Sequence, residues 1–201
     1  MPRDINEAEV DRRLARLEAA HGAFPVDRRE ETWPDEEFAE SVALAEDGYV
    51  GGAYVLAVRS PEQAAPLTES MPDSAAAEDE RVLLAMGRDA DVWGPPGGGR
   101  EGEETYEEAA VREVREETGV DVAVTGVRQA LRWTTTGETD ARTVHTAFVV
   151  FTGRYQGGHI AVQPGELNGA AWFRELPANL HEFAERFADE WPGGRVDEEQ
   201  P

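Results

Sequence analysis

Residues 98–120, GGREGEETYEEAAVREVREETGV, are the stretch of this chain that decides its fold. The stretch starts in a run of glycines and then places Glu113, Glu116 and Glu117 close together. At about 100° per residue in an α-helix, these glutamates share an arc of about 100° on one face. A glycine-rich loop followed by clustered carboxylates is suited to holding hard divalent cations against a phosphate chain.

The same stretch carries signals for where a helix begins and ends. Residues 105–108, Thr-Tyr-Glu-Glu, have the form of a capping box, which predicts a helix starting near Tyr106. Gly119 suits the position just past the end of that helix. The residues expected on the neighbouring arc, facing the core, are Val111, Val114 and Thr118.

The stretch resembles the box of the Nudix hydrolase family, G-x5-E-x7-R-E-U-x-E-E-x-G-U, where U is a bulky aliphatic residue. Its fixed positions are all filled, by Gly98, Glu104, Arg112, Glu113, Val114, Glu116, Glu117, Gly119 and Val120. A solvated acidic helix would explain the charge but not the order of the residues. The resemblance implies an α+β fold, a Nudix-like α/β/α sandwich with a mixed β-sheet.

The resemblance also implies roles for the residues of the box. Glu113, Glu116 and Glu117 would hold Mg²⁺, or Mn²⁺ in its place, and would take part in catalysis. Glu104 would be a further metal ligand or an orienting partner. Arg112 would fix the glutamates by ion pairing, and its spacing to Glu116 is the i,i+4 spacing at which helical side chains meet.

The box leaves open which group activates the attacking water. One of its own glutamates could serve, or a carboxylate from a later loop. Glu166, in the segment 163–168, is the first candidate outside the box, and Glu138 is the second. For both, a solvated surface acid is the competing interpretation.

Substrate contacts are predicted at four places. Gly97, Gly98 and Gly99 allow the backbone to approach a phosphate closely, although a tight turn between strand and helix would also need them. Arg88 could touch phosphates, and Trp133 or Trp93 could stack on a base. Solvated charges and core aromatic residues are the competing interpretations.

The composition is strongly acidic. The 201 residues include 42 Asp and Glu against 19 basic residues, all of them Arg, for a net charge of −23. This charge argues against stable nucleic-acid binding and against binding an anionic membrane, since either needs a basic face. It predicts a halophilic protein, adapted to a salt-rich cytoplasm where charges are screened. The chain has no cysteine, so disulfides and thiolate catalysis are absent.

Periodicity along the chain predicts three regions: an N-terminal helical extension (1–46), a Nudix hydrolase domain (47–191) and a flexible acidic tail (192–201). The first holds an amphipathic helix at 5–21, which would pack on the domain or on a second subunit in a homodimer. A loop and a short helix around 36–45 follow. In the domain we expect strands at 49–59, 81–86, 122–134, 143–155 and 170–174, a mobile excursion at 61–80, and a helix at 178–191.

No apolar run is long enough to span a membrane and no signal peptide precedes the domain, so a cytoplasmic location is expected.

The predicted function is a Mg²⁺-dependent hydrolase. It would cleave a phosphoanhydride bond in a nucleoside diphosphate linked to another moiety, or in a related nucleotide. The alternative is a non-catalytic nucleotide-binding sensor, whose mark would be lost box carboxylates, and none is lost. The isopentenyl diphosphate isomerase branch of the family uses a catalytic cysteine, which this chain lacks. Family markers for particular substrates are missing downstream of the box, so the substrate stays open.

Overall fold

Helices are interspersed among strands along the chain in the computed structural model, which describes residues 3–63, 79–88 and 90–196. The helices are α1 (Glu7–His21), α2 (Asp35–Glu46), α3 (Tyr106–Thr118) and α4 (Glu182–Ala188), with a 3₁₀ turn at Pro61–Gln63. The strands are β1 (Arg3–Asp4), β2 (Val26–Trp33), β3 (Gly51–Arg59), β4 (Arg81–Gly87), β5 (Gly97–Gly99), β6 (Val120–Gly137), β7 (Arg142–Gly158) and β8 (Leu167–Phe173).

The strands pair in both directions. Strand β1 is parallel to β7 and β2 is parallel to β6, whereas β3 is antiparallel to β4 and β5, and β4 is antiparallel to β8. Their hydrogen-bonded order is β2-β6-β7-β3-β4-β8, with β1 beside β7 and β5 beside β3. The predicted α+β class with a mixed sheet is therefore confirmed.

Two compact units share these elements. Unit 1 takes the described parts of Met1–Tyr54, Gly97–Ala110 and Gly126–Phe151. Unit 2 takes the described parts of Val55–Pro96, Val111–Thr125 and Thr152–Pro201. The elements β3, α3, β6 and β7 each begin in one unit and end in the other.

Unit 1 has helices on both faces of β7. Val144 of β7 packs in a buried cluster with Phe38 and Val42 of α2. The ring of Phe151 lies edge-on to the ring of His21 of α1, with centroids 6.0 Å apart. Because successive strand residues point to opposite faces, Val144 and Phe151 face opposite sides of the sheet. Unit 1 therefore has the predicted helix–sheet–helix layering.

Helix α1 is the predicted amphipathic helix, and it is tied to the start of α3. Val10, Leu14 and Leu17 are its buried residues. Arg16 and His21 of this helix both bind the Glu107 carboxylate, the latter at 2.9 Å. Burial raises the pKa of Glu107, but hydrogen bonds from His21 and Arg16 outweigh burial and leave that pKa below its usual range. Glu107 is thus held as the charged partner of α1.

Helix α3 begins and ends where its local signals predict. The Glu108 carboxylate accepts from the Thr105 backbone N–H at 2.8 Å, and Thr105 Oγ1 accepts from the Glu108 backbone N–H at 3.2 Å. At the other end, Gly119 has a φ of +73° and donates its N–H to the Arg115 carbonyl at 2.9 Å. Both ends of the helix are therefore satisfied by residues within the box itself.

The core face of α3 differs from the prediction at one position. Val114 and Thr118 are fully buried as expected, but Val111 is 36% exposed. Ala110, one turn before Val114, is buried instead. Tyr106 anchors the same face, since it is 1% exposed and donates its hydroxyl hydrogen to the Val50 carbonyl at 2.8 Å. The buried stripe thus follows i,i+4 spacing from Tyr106.

Two predicted secondary-structure assignments are wrong. Residues 26–33, expected in a loop, form β2, which pairs in parallel with residues 130–137 of β6. The helix expected at 178–191 is only α4, Glu182–Ala188. The predicted first turn of this helix is instead extended backbone, because it is hydrogen-bonded to Trp93. The Trp93 N–H donates to the Asn179 carbonyl at 2.9 Å, and the Trp93 carbonyl accepts from the His181 N–H at 2.8 Å.

Other predictions fall partly outside the described residues. Of the predicted excursion at 61–80, residues 64–78 lie outside them. Of the predicted tail, residues 197–201 lie outside them, whereas the backbone of Gly194 and Val196 is hydrogen-bonded to Leu176. Within the described ranges, none of the helices has the length and the apolar character that a membrane crossing requires.

Replacing Thr105 with Ala should lower the free energy of unfolding by about 1 kcal/mol, because it removes the side-chain oxygen that caps α3. Urea unfolding followed by circular dichroism measures the change. Thr105→Ser is the matched control, since it keeps the oxygen and should stay close to wild type. Equal losses in the two variants would contradict the capping role.

Candidate active site

The second half of α3 carries an ordered set of charged side chains. Arg112 Nη1 donates to Glu113 Oε1 and to Glu116 Oε2, at 3.0 Å in both cases. The Glu113 side chain is 16% exposed and that of Glu116 is 54% exposed, while Glu117 is half-buried. One guanidinium therefore fixes two of the three predicted carboxylates.

The donor set fits a hard divalent cation. Glu113, Glu116 and Glu117 offer carboxylate oxygens, which are the ligands that Mg²⁺ prefers, and a few protein oxygens are enough because Mg²⁺ keeps several waters. Three carboxylates on one helix face repel one another, and Arg112 offsets only one of the negative charges. The remaining charge favours a cation at this face.

A loop after β7 runs beside the end of α3. The N–H of Ala161 donates to the Thr118 carbonyl at 2.8 Å, and the N–H of Gln163 donates to the Glu117 carbonyl at 3.0 Å. The Gln163 side chain in turn donates to Glu166 Oε1 at 2.9 Å. Gln163 thus joins the backbone of the predicted metal ligand Glu117 to the predicted base Glu166.

Arg88 and Glu166 are also neighbours. The Arg88 N–H donates to the Glu166 carbonyl at 2.9 Å, and the Asn168 side chain donates to the Arg88 carbonyl at 2.7 Å. Both Arg88 and Glu166 are exposed. Unit 2 therefore brings together six of the residues predicted from sequence, namely Arg88, Arg112, Glu113, Glu116, Glu117 and Glu166.

The glycines before the box have a packing role. Gly97, Gly98 and Gly99 form β5 and pair with Tyr54, Ala53 and Gly52 of β3. A Cβ on Gly97, whose φ is +148°, would lie 2.2 Å from the Ala53 carbonyl oxygen. Strand pairing alone therefore requires a glycine at this position, and the predicted contact with substrate remains a prediction.

Glu104 precedes α3 in unit 1. Its carboxylate accepts from the Glu101 N–H at 3.1 Å, and its carbonyl accepts from Arg13 and Arg100 at 3.0 and 3.2 Å. The side chain of Glu104 therefore shapes the loop of the box.

Arg100 is a residue that the sequence analysis missed. It is 6% exposed and donates to the carbonyls of Gly102, Glu104 and Gly48. Burial lowers its pKa below the ordinary value. Its position between Gly99 and Glu101 could have indicated this role, since a lone arginine among glycines and acids has many backbone carbonyls within reach.

The predicted aromatic residues lie in different places. Trp133 lines a cavity of about 350 Å³ in unit 1, together with Trp33, Phe148 and others. Trp93, in unit 2, packs edge-on against Phe173 with ring centroids 4.9 Å apart. Stacking on a base is thus open to Trp133, whereas Trp93 fills packing space.

Glu138, the second candidate for the general base, is exposed in the turn between β6 and β7, where its N–H donates to the Trp33 carbonyl at 3.2 Å.

Comparison with known proteins identifies the family. The family model described as the NUDIX domain matches residues 75–191, which is more than half of the chain. The NAD-capped RNA hydrolase NudC of Deinococcus radiodurans is 38% identical over 97 residues, which span 48% of this chain and 32% of that protein. The putative mutator protein MutT4 of Mycobacterium tuberculosis is 35% identical over 97 residues, spanning 47% of this chain and 38% of that protein. This chain thus covers about a third of the length of these curated relatives.

A solved structure gives a weaker likeness. The MutT NUDIX hydrolase from Burkholderia pseudomallei has 22% identity and a TM-score of 0.40, over 70% of this chain and 98% of that one. A likeness of this size carries no conclusion about function. Members of the NUDIX family generally use divalent metal ions, and the family implies a nucleotide-type substrate. Because the family model covers more than half of its length, this chain belongs to the NUDIX family.

Proposed function

We propose that this protein is a Mg²⁺-dependent hydrolase that cleaves a phosphoanhydride bond in a nucleoside diphosphate linked to another moiety. The observation that carries the proposal is the pair of hydrogen bonds from Arg112 Nη1, which holds Glu113 and Glu116 on one face of α3. Glu117 follows on the same face. The backbone N–H of Gln163 donates to the Glu117 carbonyl, and the Gln163 side chain donates to Glu166.

Each residue has a distinct task in this proposal. Glu113, Glu116 and Glu117 supply the oxygens for Mg²⁺, and Arg112 keeps them in position by ion pairing. Bound Mg²⁺ would neutralise the diphosphate, polarise the phosphorus and lower the pKa of the attacking water. Water adds to phosphorus, the bridging phosphorus–oxygen bond breaks, and the proton of the water passes to a carboxylate.

Glu166 is our candidate for that carboxylate. It is exposed, so water reaches it, and its Oε1 is oriented by the Gln163 side chain at 2.9 Å. The hydrogen bond from the Gln163 backbone to Glu117 fixes this loop against α3. Arg88, whose backbone bonds to Glu166, places a guanidinium in the same segment for the phosphates of the substrate.

The activity test is a screen with Mg²⁺ at high salt against NDP-sugars, ADP-ribose, dinucleotides including NADH, and nucleoside triphosphates. The NAD-capped RNA hydrolase among the relatives motivates the dinucleotides. Chromatography of the products identifies the bond that is cleaved. A protein that hydrolyses none of these compounds under such conditions would contradict the proposal.

Replacing Glu117 with Gln should lower kcat/KM on the best substrate by at least about a hundredfold, since it removes a charged metal ligand. Steady-state rates over a range of Mg²⁺ concentrations measure the effect. Glu103→Gln is the matched control, because Glu103 is an exposed glutamate of the same segment at a position that the family pattern leaves free. Equal activity in Glu117→Gln and wild type would remove Glu117 from the site.

Replacing Glu166 with Gln should lower kcat by about a hundredfold, the usual contribution of a general base. The Mg²⁺ concentration for half-maximal rate should stay unchanged, because the box carboxylates remain. Glu138→Gln tests the second candidate in the same assay. If kcat falls in Glu138→Gln and stays at the wild-type value in Glu166→Gln, the general base is Glu138 and not Glu166.

We also propose that the protein works in high salt. A net charge of −23 on 201 residues makes the folded chain repel itself when charges are poorly screened. Raising KCl from about 0.1 M to about 1 M shortens the Debye length from about 10 Å to about 3 Å and should raise the unfolding temperature. Differential scanning calorimetry measures it, and an unfolding temperature that does not rise with KCl would refute the proposal.

A further inference from the structure

A second group of metal-ligand side chains lies in unit 1, outside the box. Asp4 of β1, Glu7 at the start of α1 and His145 of β7 each place one ligand atom within 4.8 Å of the other two. His145 Nε2 lies 2.7 Å from Asp4 Oδ1. We name these three residues the His145 cluster.

The histidine of the cluster is held rigidly. His145 is 4% exposed, and its backbone N–H and carbonyl are both bonded to the side chain of Asn6, at 2.9 and 2.8 Å. Its Nδ1 lies 3.1 Å from Thr134 Oγ1. Without an ion, Nε2–H donates to the Asp4 carboxylate. Because the Thr134 hydroxyl can accept as well as donate, an ion at Nε2 would leave the ring proton on Nδ1, bonded to Thr134. Histidines that bind metals usually have their second nitrogen oriented by such a partner.

The charge around the cluster favours a dication. The Glu7 carboxylate accepts from Arg132 Nη2 at 2.9 Å, and the same Nη2 lies 3.1 Å from Asp11 Oδ1. Asp4 adds a third carboxylate beside His145. Three carboxylates against one guanidinium leave an excess of two negative charges, which a divalent cation would balance.

The cluster is open to solvent on its acidic side. The side chains of Asp4 and Glu7 are 50% and 43% exposed, and both border a cavity of about 640 Å³ in unit 1. The imidazole of His145 is thus the buried side of the cluster, and the exposed carboxylates leave a path for an ion to enter and room for water ligands. Exposed carboxylates can also rotate toward a bound ion at small cost.

We propose that Asp4, Glu7 and His145 bind a transition-metal dication of the Zn²⁺ type, separately from the hydrolase site. One imidazole nitrogen with two carboxylates matches Zn²⁺ better than Mg²⁺, which takes oxygen ligands almost alone. A tetrahedral Zn²⁺ with ligands at about 2.0–2.1 Å needs ligand atoms about 3.3 Å apart. The His145–Asp4 pair lies within that distance, at 2.7 Å, and a Glu7 oxygen lies within 4.8 Å of both ligand atoms.

A bound ion would join the N-terminal strand to the centre of unit 1. Asp4 pairs with Thr143 in β1–β7, and the next N–H, that of Ile5, donates to the Thr143 carbonyl at 3.0 Å. Coordination of Asp4 and His145 by one ion would replace their hydrogen bond with metal–ligand bonds, so the unfolding temperature should rise with Zn²⁺.

The test uses the whole chain with Mg²⁺ in large excess, so that the oxygen-only site of the box is saturated. Zn²⁺ is titrated while ¹H–¹⁵N spectra record the side-chain nitrogens of the histidines. We expect Zn²⁺ to shift Nε2 of His145 and to leave the exposed His159 unchanged. If Zn²⁺ leaves the His145 nitrogens unshifted, the proposal is overturned.

A matched pair of variants measures the contribution of Asp4. Asp4→Asn should weaken Zn²⁺ binding by about tenfold or more in calorimetric titration, whereas Asp27→Asn, an exposed aspartate of β2, should bind like wild type. Equal affinity in Asp4→Asn and wild type would contradict the assignment. If Asp4→Asn fails to fold, the shift of His145 in the wild-type spectrum decides alone.

Discussion

The ion pairing of Arg112 with Glu113 and Glu116 is the interaction on which the candidate active site depends. Like charges about 4 Å apart repel by about 1 kcal/mol in water and about 4 kcal/mol near a protein surface. Without a positive charge between them, the glutamates of α3 would turn away from one another. Arg112 places a guanidinium 3.0 Å from both carboxylates and so keeps the oxygens together before any metal or substrate arrives. An arginine suits this task because its planar fork serves two acceptors.

The N-terminal segment is part of the fold and not only an appendage to it. In unit 1, β1 and β2 pair with β7 and β6, and α1 reaches the Glu107 carboxylate through Arg16 and His21. Arg13 donates to the Glu104 carbonyl, beside Arg100. Residues 3–46 therefore help to position the loop and first turn of the box, and arginines make several of these contacts in a chain that has no lysine.

The sequence predicted best what is specified locally. The boundaries of α3 follow from Thr105, Glu108 and Gly119, which are all within or next to the helix. Strand β2 could not be predicted in this way, because its exposed acidic and basic residues look like a loop and its pairing partner, β6, lies about a hundred residues further along the chain. The late start of the predicted last helix has a similar cause, since Trp93 holds residues 179–181 extended. Likewise, the contact of Gln163 with Glu117 and Glu166 depends on a loop that only the fold brings to α3.

The central claim is that the carboxylates on α3 hold a divalent cation that a diphosphate substrate can share. The most direct measurement is an anomalous difference map at the manganese absorption edge, from a crystal grown with Mn²⁺ and a non-hydrolysable nucleoside diphosphate analogue. We predict a peak about 2.1–2.2 Å from oxygens of Glu113, Glu116 and Glu117, with the diphosphate completing the ligand shell. A map with these carboxylates turned toward solvent and no peak beside them would contradict the account.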